Sequence, residues 1–173
     1  MDSCWAATKS NASLCELVVT VGVHFAGVTP GPDEVWIRQI GRNLTDPLDG
    51  FLREKRFCLM DRDAKFTTAF RTLLAGAGIE PVRLPPRSPN LNAWIERFMR
   101  SIKSECLDRM IFFGEESLRR AVREYLAHYH VERNHQGLDN AIIEPKGIVR
   151  GSGRVRCRER LGGMLRYYQR DAA

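Results

Sequence analysis

Apolar and polar positions change their period along this chain, and each change marks an element. Leu14 to Thr29 is rich in valine, with Gly22 near its middle. That pattern predicts one long strand or a tight pair of strands. Residues 1–13 show no clear period. Pro30-Gly31-Pro32 makes a turn, and Pro32 can take the first helical position. Val35, Ile37, Ile40 and Leu44 then give an irregular amphipathic helix, and Asp46 to Gly50 a loop. Phe57 to Asp61 is a short apolar run that ends on a carboxylate, the pattern of a strand buried on both faces. Phe66, Phe70, Leu73 and Leu74 follow at helical spacing and stop at Gly76 and Gly78. Glu80 to Leu84 predicts a second short strand, and Pro85 to Asn90 a stiff loop. Two helices complete the pattern, one over Leu91 to Leu107 and one from about Glu115 to Glu132. The second carries Leu118, Val122, Tyr125, Leu126 and Tyr129 on one face. Strand, helix, strand, helix, helix is an α/β order with parallel central strands.

Composition narrows the class. A chain of 173 residues with 43% hydrophobic content is one domain, or one domain plus a tail. Cys4, Cys15, Cys58, Cys106 and Cys157 are scattered without a C-x-x-C, and the four histidines make no paired metal spacing. A structural zinc site is not expected, and unpaired cysteines suit a reducing cytosol. No run is long and apolar enough for a membrane helix, and Glu16 and His24 interrupt the one apolar stretch that could suggest a signal peptide.

Charge is uneven. Residues 1–60 hold 6 basic and 7 acidic groups, whereas residues 61–173 hold 21 and 14. Residues 145–173 alone carry 8 basic and 2 acidic groups. This divides the chain into a domain over 1–145, atypical over 1–22, and a basic tail over 146–173. The imbalance points to a polyanion, most simply nucleic acid, or to a solvated tail.

The candidate chemistry sits at Asp61 and Glu96, with 34 residues between them. One ends a strand and the other opens a helix, and two acids delivered by different elements can share divalent metal ions. At about 100° per residue, Arg100 and Lys103 fall on the Glu96 face of that helix, while Trp94, Ile95, Phe98 and Ile102 form an apolar stripe. An acid with two bases one and two turns away is either a helix-stabilising ion network or a metal ligand flanked by phosphate binders. His128, His130 and His135 are expected to serve packing and not acid–base work. Asp63 is expected to be a turn aspartate that caps a helix starting near Ala64.

The segment Phe57 to Leu138 resembles the catalytic core of insertion-sequence transposases and retroviral-type integrases, the DDE group. The carrying residues are the run from Asp61 to Thr67, Gly78-Ile79-Glu80-Pro81-Val82 and Ser88-Pro89-Asn90. To these add Glu96-Arg97-Phe98, Ser101-Ile102-Lys103, Glu105-Cys106-Leu107, and the tyrosine helix that ends in Arg133-Asn134-His135-Gln136-Gly137-Leu138. The resemblance implies a ribonuclease-H-like mixed sheet flanked by helices. It implies Asp61 and Glu96 as catalytic and metal-binding acids, with two Mg2+ or Mn2+ ions serving an in-line attack on DNA. Lys65, Arg97, Arg100 and Lys103 would contact DNA. It also implies a homo-oligomer acting on element ends and target DNA in the bacterial cytoplasm, associated with the nucleoid, without a membrane partner.

The same comparison leaves a gap. The family's first aspartate belongs in the middle of a first strand, and Asp2 is the one aspartate before Asp33. Ser3 to Asn11 does not read as a buried strand, and Glu16 lies in a strand but in the wrong place. The expectation is therefore an N-terminally shortened core that lacks its first strand and is possibly inactive, or a non-catalytic nucleic-acid-binding or oligomerisation fragment.

Overall fold

The computed structural model describes the backbone of residues 3–8, 14–19, 22–29, 31–86, 93–145 and 153–170, and side chains from Val23 onward within those spans, Trp94 excepted. Among the described residues, seven strands and four α-helices follow in chain order: β1 (Ser3–Thr8), β2 (Leu14–Val19), β3 (Gly22–Val28), α1 (Glu34–Leu44), β4 (Phe57–Met60), α2 (Thr68–Gly76), β5 (Glu80–Arg83), α3 (Ala93–Glu105), α4 (Gly114–Val131), β6 (Val155–Arg160) and β7 (Leu165–Arg170). The chain divides into two compact units, Met1–Phe98 and Met99–Ala173.

The first unit is built on a mixed sheet of order β3-β2-β1-β4-β5. β1, β2 and β3 pair antiparallel, and β4 pairs parallel with both β1 and β5. Leu14 to Thr29 is thus a pair of strands, not one. The expected gap at the first strand is overturned: Ser3–Thr8 occupies the centre of the sheet, with Cys4 opposite Cys58 and Ala6 opposite Met60. The segment carries little strand signal of its own. Its pairing with β2 on one side and β4 on the other supplies the extended conformation, a tertiary effect that local propensity does not report.

α1 and α2 pack against each other, α1 also against β3 and α2 against β5. Their shared core holds Ile37, Ile40 and Leu44 of α1, Phe70 and Leu74 of α2, and Cys58 and Met60 of β4. Phe57 and Leu59 alternate with these and stay half-buried, so β4 is not buried equally on both faces as its continuous apolar run suggested. Gly41 lets the helices approach: a Cβ there would lie 3.0 Å from the Phe70 ring and 3.2 Å from Leu73. α1 starts two residues later than Pro32 in the first helical position would have set it. Asp33 is the N-cap, and its Oδ1 accepts from the Trp36 amide at 2.7 Å. Thr67 caps α2 in the same way, accepting from the Phe70 amide.

In the second unit, α4 buries Val122 and Tyr125 of the expected face together with Ala121 and His128, while Leu118, Leu126 and Tyr129 stay half-buried. The Arg133-to-Leu138 segment folds back on it. Arg133 Nη1 donates to Glu105 Oε2 at 2.6 Å, and the Tyr125 hydroxyl donates to the same oxygen at 3.2 Å. His135 Nε2 meets the Tyr129 carbonyl at 2.7 Å. Residues 155–170, read from charge as a tail, form an antiparallel hairpin. Its turn places Leu161, Gly162 and Gly163 at positive φ, which two glycines accept without strain.

Arg160 ties that hairpin to α4. Its guanidinium donates to Glu132 through Nε and Nη2, the latter at 2.6 Å, and to Glu124 through Nη1 at 2.7 Å. Glu132 is almost fully enclosed and also meets His128 Nδ1 at 3.1 Å. Burial by itself would raise the Glu132 carboxyl, but hydrogen bonds from Arg160 and His128 overcome it and hold the group below the ordinary glutamate value.

Candidate functional site

Asp61 follows the last residue of β4 and sits half-buried. The strand delivers it because Cys58 and Met60 anchor β4 in the core, which fixes where the next residue emerges. Its Oδ1 accepts from the Asp63 amide at 3.0 Å. Burial pushes the Asp61 carboxyl above the ordinary aspartate value; the Asp63 amide opposes this, the Asp63 charge adds to it, and Lys65 opposes weakly.

Asp63 is a turn aspartate as expected, accepting from the Lys65 amide at 2.9 Å. It does not cap a helix, however. α2 begins at Thr68, because Thr67 has the extended backbone and hydroxyl geometry of an N-cap. Lys65 Nζ lies 3.4 Å from Asp63 Oδ2, so this candidate phosphate ligand is engaged in a partly buried ion pair.

Glu96 lies in the first turn of α3 and is exposed. Arg97, Arg100 and Lys103 are exposed along the same helix. Ile95, Phe98 and Ile102 are buried, as the apolar stripe required, while Trp94 is outside the residues whose side chains are described. No salt bridge joins Glu96 to Arg100 or Lys103 among the described residues. The ion network between Glu96, Arg100 and Lys103 therefore has no support, and these three side chains are exposed.

The histidines serve structure. His128 is buried against Glu132, and His135 is held by the Tyr129 carbonyl. His130 is half-buried, and burial holds its imidazole below the ordinary value.

A divalent metal needs several hard oxygen ligands converging on one point. Among the described residues, no group of three or more His, Cys, Asp or Glu side chains could hold a metal ion. β1 runs beside β4 but offers Ser, Cys, Trp, Ala, Ala and Thr, with no carboxylate. Glu16 sits on β2 opposite Ala7, with β1 between its strand and β4, and Asp2 lies outside the described residues. Among the described residues, the carboxylates do not fit a two-metal centre.

Comparison with known proteins gives the class. The catalytic core domain of BIV integrase, in a crystal structure, superposes with a TM-score of 0.58 over 78% of this chain and 87% of that one, at 18% identity. The fold is that of an integrase catalytic core, ribonuclease-H-like. Residues 77–142 match the family model described as Integrase core domain, a stretch that includes Glu96, Arg100, Lys103 and the Arg133-to-Leu138 segment but not Asp61. Residues 77–142 are thus similar to an integrase core domain, and the chain has the fold of an integrase catalytic core. No curated protein matches it. Among the described residues, no helix is long and apolar enough to cross a membrane.

One group of residues escaped the sequence reading. Arg154, Arg156, Arg158 and Arg160 alternate with other residues, which is a strand period. The signal was present but was written in charge instead of hydrophobicity.

Proposed function

We propose that this chain is a DNA integration or transposition protein whose present form binds DNA without cutting it. The observation that carries the proposal is the pairing of an integrase-core fold with a central strand that holds no carboxylate beside Asp61. Asp61 and Glu96 are the two family acids, set at the end of β4 and the start of α3. Two-metal phosphodiester chemistry depends on ligands that bridge both ions. With the central position filled by small and aromatic residues, the remaining pair lacks that bridge.

The binding half rests on α3. Arg97, Arg100 and Lys103 present exposed positive charge on a stable helix, and the chain carries a net charge of +6. Cations fixed on a rigid element attract phosphate and release counterions, which yields affinity with little sequence preference. DNA as the partner agrees with a cytoplasmic, nucleoid-associated setting, and strand transfer would call for more than one copy of the chain.

Lys103→Ala should weaken binding to every duplex sequence to a similar degree. The slope of log affinity against log salt should fall by about one. Fluorescence anisotropy with two unrelated duplexes across a salt series measures this. Unchanged affinity at low salt would remove Lys103 from the interface.

A further inference from the structure

The arginines of the hairpin are not all accounted for by its docking on α4. Residues 153–170 carry six basic groups, all arginine, against the single acid Glu159. Arg160 is neutralised by Glu132 and Glu124, and Arg166 lies 3.0 Å from Glu159. Arg154, Arg156, Arg158 and Arg170 are exposed, and the hairpin's six arginines outnumber its one acid.

Their placement is regular. Alternation along β6 puts Arg156, Arg158 and Arg160 on one side, opposite Gln169, Tyr167 and Leu165 of β7. The Arg160 end of that row is seated on α4, so the row runs outward from a fixed point. Successive residues on one side of a strand advance about 7 Å, close to two nucleotide steps along one DNA strand at about 3.4 Å each. Arg170 Nη1 donates to the Gly153 carbonyl at 3.2 Å and closes the open end of the hairpin beside Arg154. The opposite side exposes Tyr168, paired across the strands with Cys157. A lone two-stranded hairpin is only marginally stable in water. Here a nearly buried glutamate holds it in place while most of its arginines stay exposed. Guanidinium forks suit phosphate oxygens better than lysine ammonium does.

We propose that the β6–β7 hairpin is a second DNA-backbone contact, with Arg154, Arg156, Arg158 and Arg170 as its phosphate ligands. The proposal rests on the DNA-binding reading above and extends it to a separate element.

The test uses the full chain and a 30-base-pair duplex of arbitrary sequence. Three proteins are compared across a salt series: the unaltered chain, R154A/R156A/R158A, and R100A/K103A. Loss of three phosphate contacts should lower the salt slope by about 2.7. A hairpin variant with the affinity and slope of the unaltered chain overturns the proposal. If R100A/K103A is weakened in that same experiment, the α3 interface survives. Should the unaltered chain fail to bind, the DNA-binding reading itself falls and this proposal with it. A second measurement needs no variant. Cys157 is exposed on the hairpin, whereas Cys58 and Cys106 are buried. Saturating DNA should slow maleimide labelling of Cys157, followed by peptide mass, several-fold. An unchanged labelling rate contradicts the contact even if the triple variant misfolds.

Discussion

Phe70→Ala should cost the first unit about 4 kcal/mol of unfolding free energy, the largest single effect expected in this chain. The Phe70 ring is 1% exposed and lies at the meeting of α1, α2 and β4. It lies tilted against Phe66 at 5.5 Å between centroids and fills the space that Gly41 leaves open. Removing it loses the apolar transfer energy and leaves a cavity that two rigid helices cannot close. Since whole domains are stable by only about 5–15 kcal/mol, the variant should sit near its unfolding threshold at 37 °C. Urea titration followed by circular dichroism measures the loss. A change below about 1 kcal/mol would mean the site collapses freely, and the account of α1–α2 packing would be wrong. The consequence reaches the site, because the same core fixes Met60 and hence the emergence of Asp61.

Glu132→Ala is expected to be next in size, at about 3 kcal/mol, the low end of the range for breaking a buried pair. The variant leaves Arg160 with Glu124 alone and strips His128 of its carboxylate partner. The expected readout is local: amides of β6 and β7 should exchange with solvent much faster, while those of α1 and α2 keep their protection. Glu124→Ala is the comparison. Its carboxylate is 40% exposed, and loss of that outer pair should cost under about 1 kcal/mol. Equal protection of β6 in unaltered and Glu132→Ala chains would show that the latch does not hold the hairpin. The pH sense follows from the carboxyl lying below its ordinary value. Its contribution is intact at neutral pH, persists above the unfolded glutamate value, and is lost as acid reaches its folded value.

Much of the architecture could be read from residue order. Phe57 to Asp61, the Phe70-Leu74 stripe and the Val122-Tyr125 face each have a period that only one element satisfies. The first strand could not be read, because Ser3 to Thr8 has no alternation and only Thr8 is β-branched; two neighbouring strands impose its shape. The hairpin was hidden for a different reason. Arginine at every second position is a strand period that a hydrophobicity pattern cannot register. For the candidate site, Asp61 and Glu96 stood out as candidates by their separation and by the company of Phe98, Lys103 and the Arg133-to-Leu138 segment. What the residue order could not tell was the state of α3, where, among the described residues, no salt bridge joins Glu96 to Arg100 or Lys103. Nor could it tell that Lys65 is occupied by Asp63, a pairing that depends on how the turn after β4 closes.

We propose that a chain with this integrase-core fold binds DNA while its acidic site is incomplete. The direct measurement incubates the purified chain with supercoiled plasmid and duplex DNA, with and without Mg2+ or Mn2+, and scores both retention and nicking. We expect salt-sensitive retention and no metal-dependent nicking, with Asp61→Asn and Glu96→Gln indistinguishable from the unaltered chain. Metal-dependent nicking that disappears in both variants would contradict the claim, because Asp61 and Glu96 would then belong to a working centre.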